Sequence, residues 1–168
     1  MIGRSVFAIL ATLVAVGCED PVVASFEERE LFRAEQSRYV LASTADGWSA
    51  TIDFVYENPL DEGLLVPNCN GWSHYLGLER QVDGEWVLAW LLPAPECLSP
   101  PFSIERGTAY EGTIPFSLAR SSLSVHPVLE AHGVEGTYRI LWQGLADADG
   151  ETLPSELRRS APFELVEE

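Results

Sequence analysis

Lysine is absent from the 168 residues, and all ten basic side chains are arginines. That excludes a lysine Schiff base or a lysine general base; a GC-rich genome accounts for the bias. Basic residues are scarce altogether, ten against 26 acidic ones, for a net charge of −16. Such a surface repels phosphate backbones, so nucleic acid is excluded as a partner. Histidine is limited to His74, His126 and His132. His126 and His132 are six apart, which matches neither helical zinc ligation nor a zinc-finger pair, and no metal centre is expected. A Gly-x-Ser-x-Gly elbow is missing, and Ser73 and His74, as neighbours on a strand, point to opposite faces. Carboxylates are abundant, but glycosidase chemistry needs a cleft that a domain of this size seldom has. No catalytic residue and no cofactor is expected, and the chain is read as a non-enzyme. Internal repeats, low-complexity segments and a sustained helical stripe are also lacking.

What is present begins with Arg4, followed by the apolar run Val6 to Val16, Gly17 and Cys18. A positive start, about 7–15 apolar residues and a small residue before the cut describe a secretory signal. The run is shorter than the ~20 residues that a spanning helix needs. Ala15-Val16-Gly17-Cys18 resembles the lipobox of bacterial lipoproteins, with Ala15 where that family prefers Leu. The resemblance implies cleavage after residue 17, diacylation of Cys18 and a membrane partner reached through the lipid. Acyl chains contribute about 0.8 kcal/mol per buried methylene, so two or three of them anchor a domain firmly. Glu19 in place of the Asp of inner-membrane retention points to the outer membrane, on its periplasmic or surface face. The expected organisation is a signal peptide over 1–17, a lipidated cysteine with an acidic tether over 18–36, and one domain over 37–168.

With Cys18 assigned to lipid, Cys69 and Cys97 remain, 28 residues apart in an oxidising compartment. Two such thiols are expected to form a disulfide, whose loop-closure entropy is worth about 3.5 kcal/mol. Ser25 three residues before Glu28 has the spacing of a capping box, so a short helix or an edge strand opens the chain near Phe26 to Ala34. Beyond Ser37 the period is two. Trp48, Ala50, Ile52, Phe54 and Tyr56 fall on one face and Ser49, Thr51 and Asp53 on the other, which describes a half-buried strand. Asp83-Gly84 between Leu78–Val82 and Glu85–Trp90 is a strong hairpin signature. Further strands are expected at Leu64–Val66, Thr108–Phe116 with Pro115 at an edge, Thr137–Gln143 and Ala161–Val166. One helical turn is expected near Val128–Ala131.

Seven to nine short strands with turns between them predict an all-β, antiparallel β-sandwich. Asn58, Val66-Pro67-Asn68-Cys69, Asp83-Gly84-Glu85-Trp86, Cys97, Ile104, Gly107, Gly136-Thr137-Tyr138-Arg139-Ile140 and Ser160 to Leu165, in that order, resemble the immunoglobulin-like domains of bacterial surface lipoproteins. The resemblance spans about residues 37–167 and implies a fold and a location without any chemistry. Gly136-Thr137-Tyr138 also resembles the tyrosine corner of Greek-key sandwiches. The cysteines do not occupy the antibody positions, so their bridge is expected to tether a loop. Trp48, Trp86 and Trp90 are expected in the core. Trp72, beside Cys69, is the tryptophan expected at the surface. Asp147 to Glu151 has the carboxylates and glycine of a calcium loop but lacks its later ligands, and a surface turn is the plainer reading. The expected role is a binding or scaffolding module of the cell envelope. Its candidate contact residues are Trp72, Pro95 and Pro100, on loops carried by a rigid scaffold. A proteinase inhibitor presenting the proline-rich loop is the alternative, with an envelope protein or a protease as partner; an envelope hydrolase ranks below both.

Overall fold

Alternation of apolar and polar side chains sets the central strand. A computed structural model describes residues 30–69, 72–73, 75–92 and 99–168, with only the backbone at 69, 72 and 73. The strands β1 (Phe32–Ala34), β2 (Arg38–Ser43), β3 (Gly47–Glu57) and β4 (Leu64–Val66) come first. The short β5 (Asn68–Cys69) and β6 (Trp72–Ser73) precede β7 (Leu76–Val82), β8 (Glu85–Leu91), β9 (Phe102–Ile104) and β10 (Ala109–Ala119). A 3₁₀ segment (Arg120–Val125), helix α1 (Pro127–His132), β11 (Gly136–Trp142), a 3₁₀ turn (Ser155–Arg158) and β12 (Phe163–Glu167) complete the chain. Along β3, Ile52, Phe54 and Tyr56 are buried while Ser49 and Thr51 are exposed, as the period of two requires.

The strands are mostly antiparallel and run in the order β1-β3-β2-β12-β11-β7-β8, with β10 paired to β3, making an eight-stranded sheet. β2 joins its two halves. Arg38–Leu41 pairs in parallel with β12, whereas Ala42 and Ser43 pair antiparallel with β3. β1 shares that edge of β3 and takes its other end, opposite Phe54–Tyr56. An edge strand thus occupies part of the stretch expected to be a tether. The β7–β8 turn has Asp83 at φ 50° and Gly84 at φ 88°, the backbone of a type I′ hairpin.

The buried centre is aromatic. The Trp142 ring of β11 lies 5.5 Å from Phe54 and 5.6 Å from Tyr56 of β3, 5.9 Å from Phe32 of β1 and 5.5 Å from Tyr110 of β10. The pairs with Phe54 and Tyr56 are edge-to-face, an arrangement that adds to the gain from area burial. Two strands separate β3 from β11 along the sheet, about 14 Å if it were flat, yet their side chains meet. Asn58, also buried, closes the loop after β3. Its Nδ2 donates to the carbonyls of Glu62 and Ile104, and its Oδ1 accepts from the Leu60 amide. Among the described residues no helix is long and apolar enough to cross a membrane.

Candidate functional site

The residues singled out from sequence fall mostly outside this description. Cys18, Pro95 and Cys97 lie outside the described residues, and Cys69 and Trp72 are described by backbone alone, paired across the β5–β6 ladder. Pro100 is exposed, and its carbonyl accepts from Asn68 Nδ2 at 3.4 Å. The expected Cys69–Cys97 disulfide is corrected: no cysteine pair at bonding distance occurs among the described residues. Backbone pairing of Asn68 with Ser73 and of Cys69 with Trp72 is what holds that corner. In the Asp147–Glu151 turn, one Asp147 oxygen accepts from the amides of Asp149 and Glu151, the self-bonding of an Asx turn.

The tryptophans divide differently from their expected placement. Trp90 is buried, packs 5.2 Å from Phe116 and donates from Nε1 to the Ser117 carbonyl at 3.2 Å. Trp86 is only half-buried, with the Arg139 guanidinium 4.4 Å above its ring. Trp48 is also half-buried, under Arg120 at 4.0 Å. A bulge separates Trp86 from Trp90: Leu88 faces Glu79 and Trp90 faces Leu78, which leaves Ala89 as the extra residue. Strict alternation would put 86, 88 and 90 on one face. The bulge sends Trp86, Leu88 and Leu91 to the outer face and Trp90 into the core.

This geometry makes β8 the most exposed apolar element among the described residues. It ends the strand order and pairs only with β7. Val87, Leu88 and Leu91 are 38%, 40% and 41% exposed, and Val125 across the gap is 72% exposed. Leu91 and Leu88 converge over Gly77, where an added Cβ would come within 2.8 Å of Leu91 Cδ2 and 3.3 Å of Leu88 Cδ1. An open groove of ≈ 200 Å³ runs between Leu88–Leu91 and Val125, His126 and Pro127. An unpaired strand edge with apolar side chains is a template for another chain.

The far wall of the groove is held from the inner side of β7. Arg80 donates from Nη2 to the His132 carbonyl at 2.9 Å and from Nη1 to the Gly133 carbonyl. A cation at the last carbonyls of α1 satisfies groups that the short helix leaves open. Gly136, at φ 152°, makes room for it, because a Cβ there would sit 3.0 Å from Arg80 Nε. Buried Leu129 anchors α1, and Tyr138 donates from its hydroxyl to the Val134 carbonyl at 2.6 Å just beyond the helix.

Beside the apolar strip the outer face carries one carboxylate held between two guanidinium groups. Glu79 accepts from Arg139 Nε at 2.6 Å, Arg159 Nε at 3.0 Å and Arg159 Nη2 at 3.1 Å. Burial alone would push the Glu79 carboxyl up, but the hydrogen bonds and charges of Arg159 and Arg139 together outweigh it and hold it below the usual carboxylate range. Larger hollows exist, one of ≈ 380 Å³ beside Arg159, Glu156 and Glu30 and one of ≈ 440 Å³ beside Arg38, Thr137 and Glu164. In the first, Arg159 is committed to Glu79. No group of three or more metal-ligating side chains gathers among the described residues.

The seven consecutive apolar residues Trp86–Leu92 were the available sequence signal for this edge: apolarity on both faces of a strand demands cover on both faces. No protein family, no curated protein and no solved structure matches the chain.

Proposed function

We propose that this chain is a lipid-anchored, non-catalytic binding module of a bacterial cell envelope, built on an immunoglobulin-like sandwich and engaging a protein partner along the free edge of β8. The observation that carries the reading is the exposure of Val87, Leu88 and Leu91 on the terminal strand beside the groove at Val125–Pro127. The sandwich is supported by the Trp142 contacts to β3 and β1, by β2 pairing into both halves of the sheet, and by the Tyr138 hydroxyl bonding four residues upstream as in a tyrosine corner. The anchor rests on the signal-like residues 1–17 and Cys18, and an outer-membrane position on Glu19. The non-catalytic reading rests on the sequence, which has no lysine and no Gly-x-Ser-x-Gly elbow.

Two measurements test this. Fatty-acid labelling in a bacterial host is expected to mark the full chain and to vanish in Cys18→Ala. A photo-crosslinker at position 88 is expected to capture a discrete protein, whereas one at Glu111 on β10 captures none. An unlabelled chain removes the anchor; equal capture at both positions removes the edge as the recognition site.

A further inference from the structure

We infer that β8 takes up an extended, cationic segment of its partner as an added β-strand. The inference rests on the binding role proposed above and names the chemistry of that contact. Three observations converge on it. First, β8 is seven residues long and its single charge, Glu85, stands at its start. Of the usual guards of an edge it has the bulge at Ala89 and no lysine, proline or inward charge of its own, and α1 packs beside it with no backbone hydrogen bond to it among the described residues. Second, an added strand projects alternate side chains to each side. On the outer side they meet the shelf of Leu88 and Leu91 over Gly77; on the other they meet the groove walled by Val125 and Pro127. Apolar residues at every second position of the incoming segment fit both.

Third, the exposed charges at the hairpin end and on α1 are acidic. Asp83 and Glu85 at the hairpin end and Glu130 on α1, which packs beside β8, are exposed and form no ion pair among the described residues. The nearby arginines are already engaged, Arg80 by the α1 carbonyls and Arg139 and Arg159 by Glu79. The edge therefore offers exposed carboxylates beside arginines that are fixed by their own hydrogen bonds, within a chain of net charge −16. A second copy of the chain is disfavoured as occupant, because pairing β8 with itself brings Asp83, Glu85 and Glu130 of two acidic molecules together. A strand alternating apolar and basic residues complements both features.

The test uses the full chain in about 0.1 M salt, where the screening length is about 10 Å, with four ten-residue probes. These are an alternating Leu/Arg peptide, the same peptide N-methylated at every second residue to block one edge, an alternating Leu/Glu peptide, and a Ser/Arg peptide of equal charge. The Leu/Arg peptide is expected to bind at least tenfold more tightly than each of the others and to slow hydrogen exchange at the β8 amides. Leu88→Asn is expected to weaken it at least tenfold without altering the circular dichroism. Equal binding of the N-methylated peptide overturns strand addition, equal binding of the Leu/Glu peptide overturns the cationic preference, and equal binding of the Ser/Arg peptide overturns the apolar register. Failure of all four peptides, with capture at position 88 intact, overturns this inference and leaves the binding role standing; loss of that capture as well removes both.

Discussion

With 7% of its side chain exposed, Glu79 is a buried anion between two guanidinium groups, and breaking such a pair typically costs about 3–5 kcal/mol because the partners stay behind uncompensated. Glu79→Gln is expected to destabilise the fold by that order at neutral pH, read by urea unfolding. Its folded pKa lies below the ordinary 4.5, so this stability is present above that value and is lost as pH falls through the lower folded value. The gap between wild type and Glu79→Gln should therefore shrink as pH is lowered below 4.5; an undiminished gap would show that Glu79 stabilises by shape alone. Two buried tyrosines make an opposed pair. Burial pushes both Tyr56 and Tyr138 up to about 12, with Arg80 partly offsetting it at Tyr138. The Tyr138 hydroxyl has the Val134 carbonyl, while that of Tyr56 has no hydrogen-bond partner among the described residues. Tyr138→Phe should cost about 1–3 kcal/mol by orphaning an acceptor, and Tyr56→Phe should be neutral or mildly stabilising. Equal losses in the two variants would refute the distinction.

Among the elements, the α1 wall depends on a single side chain from another strand. Arg80→Met keeps the aliphatic stem and removes both bonds to the His132 and Gly133 carbonyls, at a cost of about 1.5–3 kcal/mol. Hydrogen exchange should then rise first over residues 127–133. A uniform rise across the sheet would mean that Arg80 supports the whole core and not the wall. Elements marked by a local residue pattern were legible in the sequence. β3 announced itself by alternation, the β7–β8 hairpin by Asp83-Gly84, and β4 and β11 by short apolar runs between turn residues. β1 is too short for a period to show, and β2 carries no mark of its double pairing, which depends on distant β12. Trp90 lies in the core as expected, whereas Trp86 lies on the outer face because one bulged residue reverses parity without any local composition change. For the same reason the β8 edge went unread.

For the molecule as a whole, a net charge of −16 and an apolar strand edge are two halves of one balance. Like charge opposes the compact state and also opposes contact between copies. The buried Glu79 cluster is shielded from ions, so added salt acts mainly on the exposed carboxylates. Raising sodium chloride from about 0.01 M to 0.15 M shortens the screening length from about 30 Å to about 8 Å. Relief of about 1 kcal/mol in self-repulsion would raise Tm by about 2–4 °C in a domain of this size. Near 1 M, with a length of about 3 Å, repulsion between copies is also removed. Only then should the bare β8 edges pair, seen as growth in light-scattering mass that Leu88→Asn abolishes. Tm independent of salt, or association that ignores Leu88→Asn, would show that charge does not guard this edge. If the guard holds, the same carboxylates that keep two copies apart are those that favour a basic strand, so solubility and partner choice rest on one surface feature.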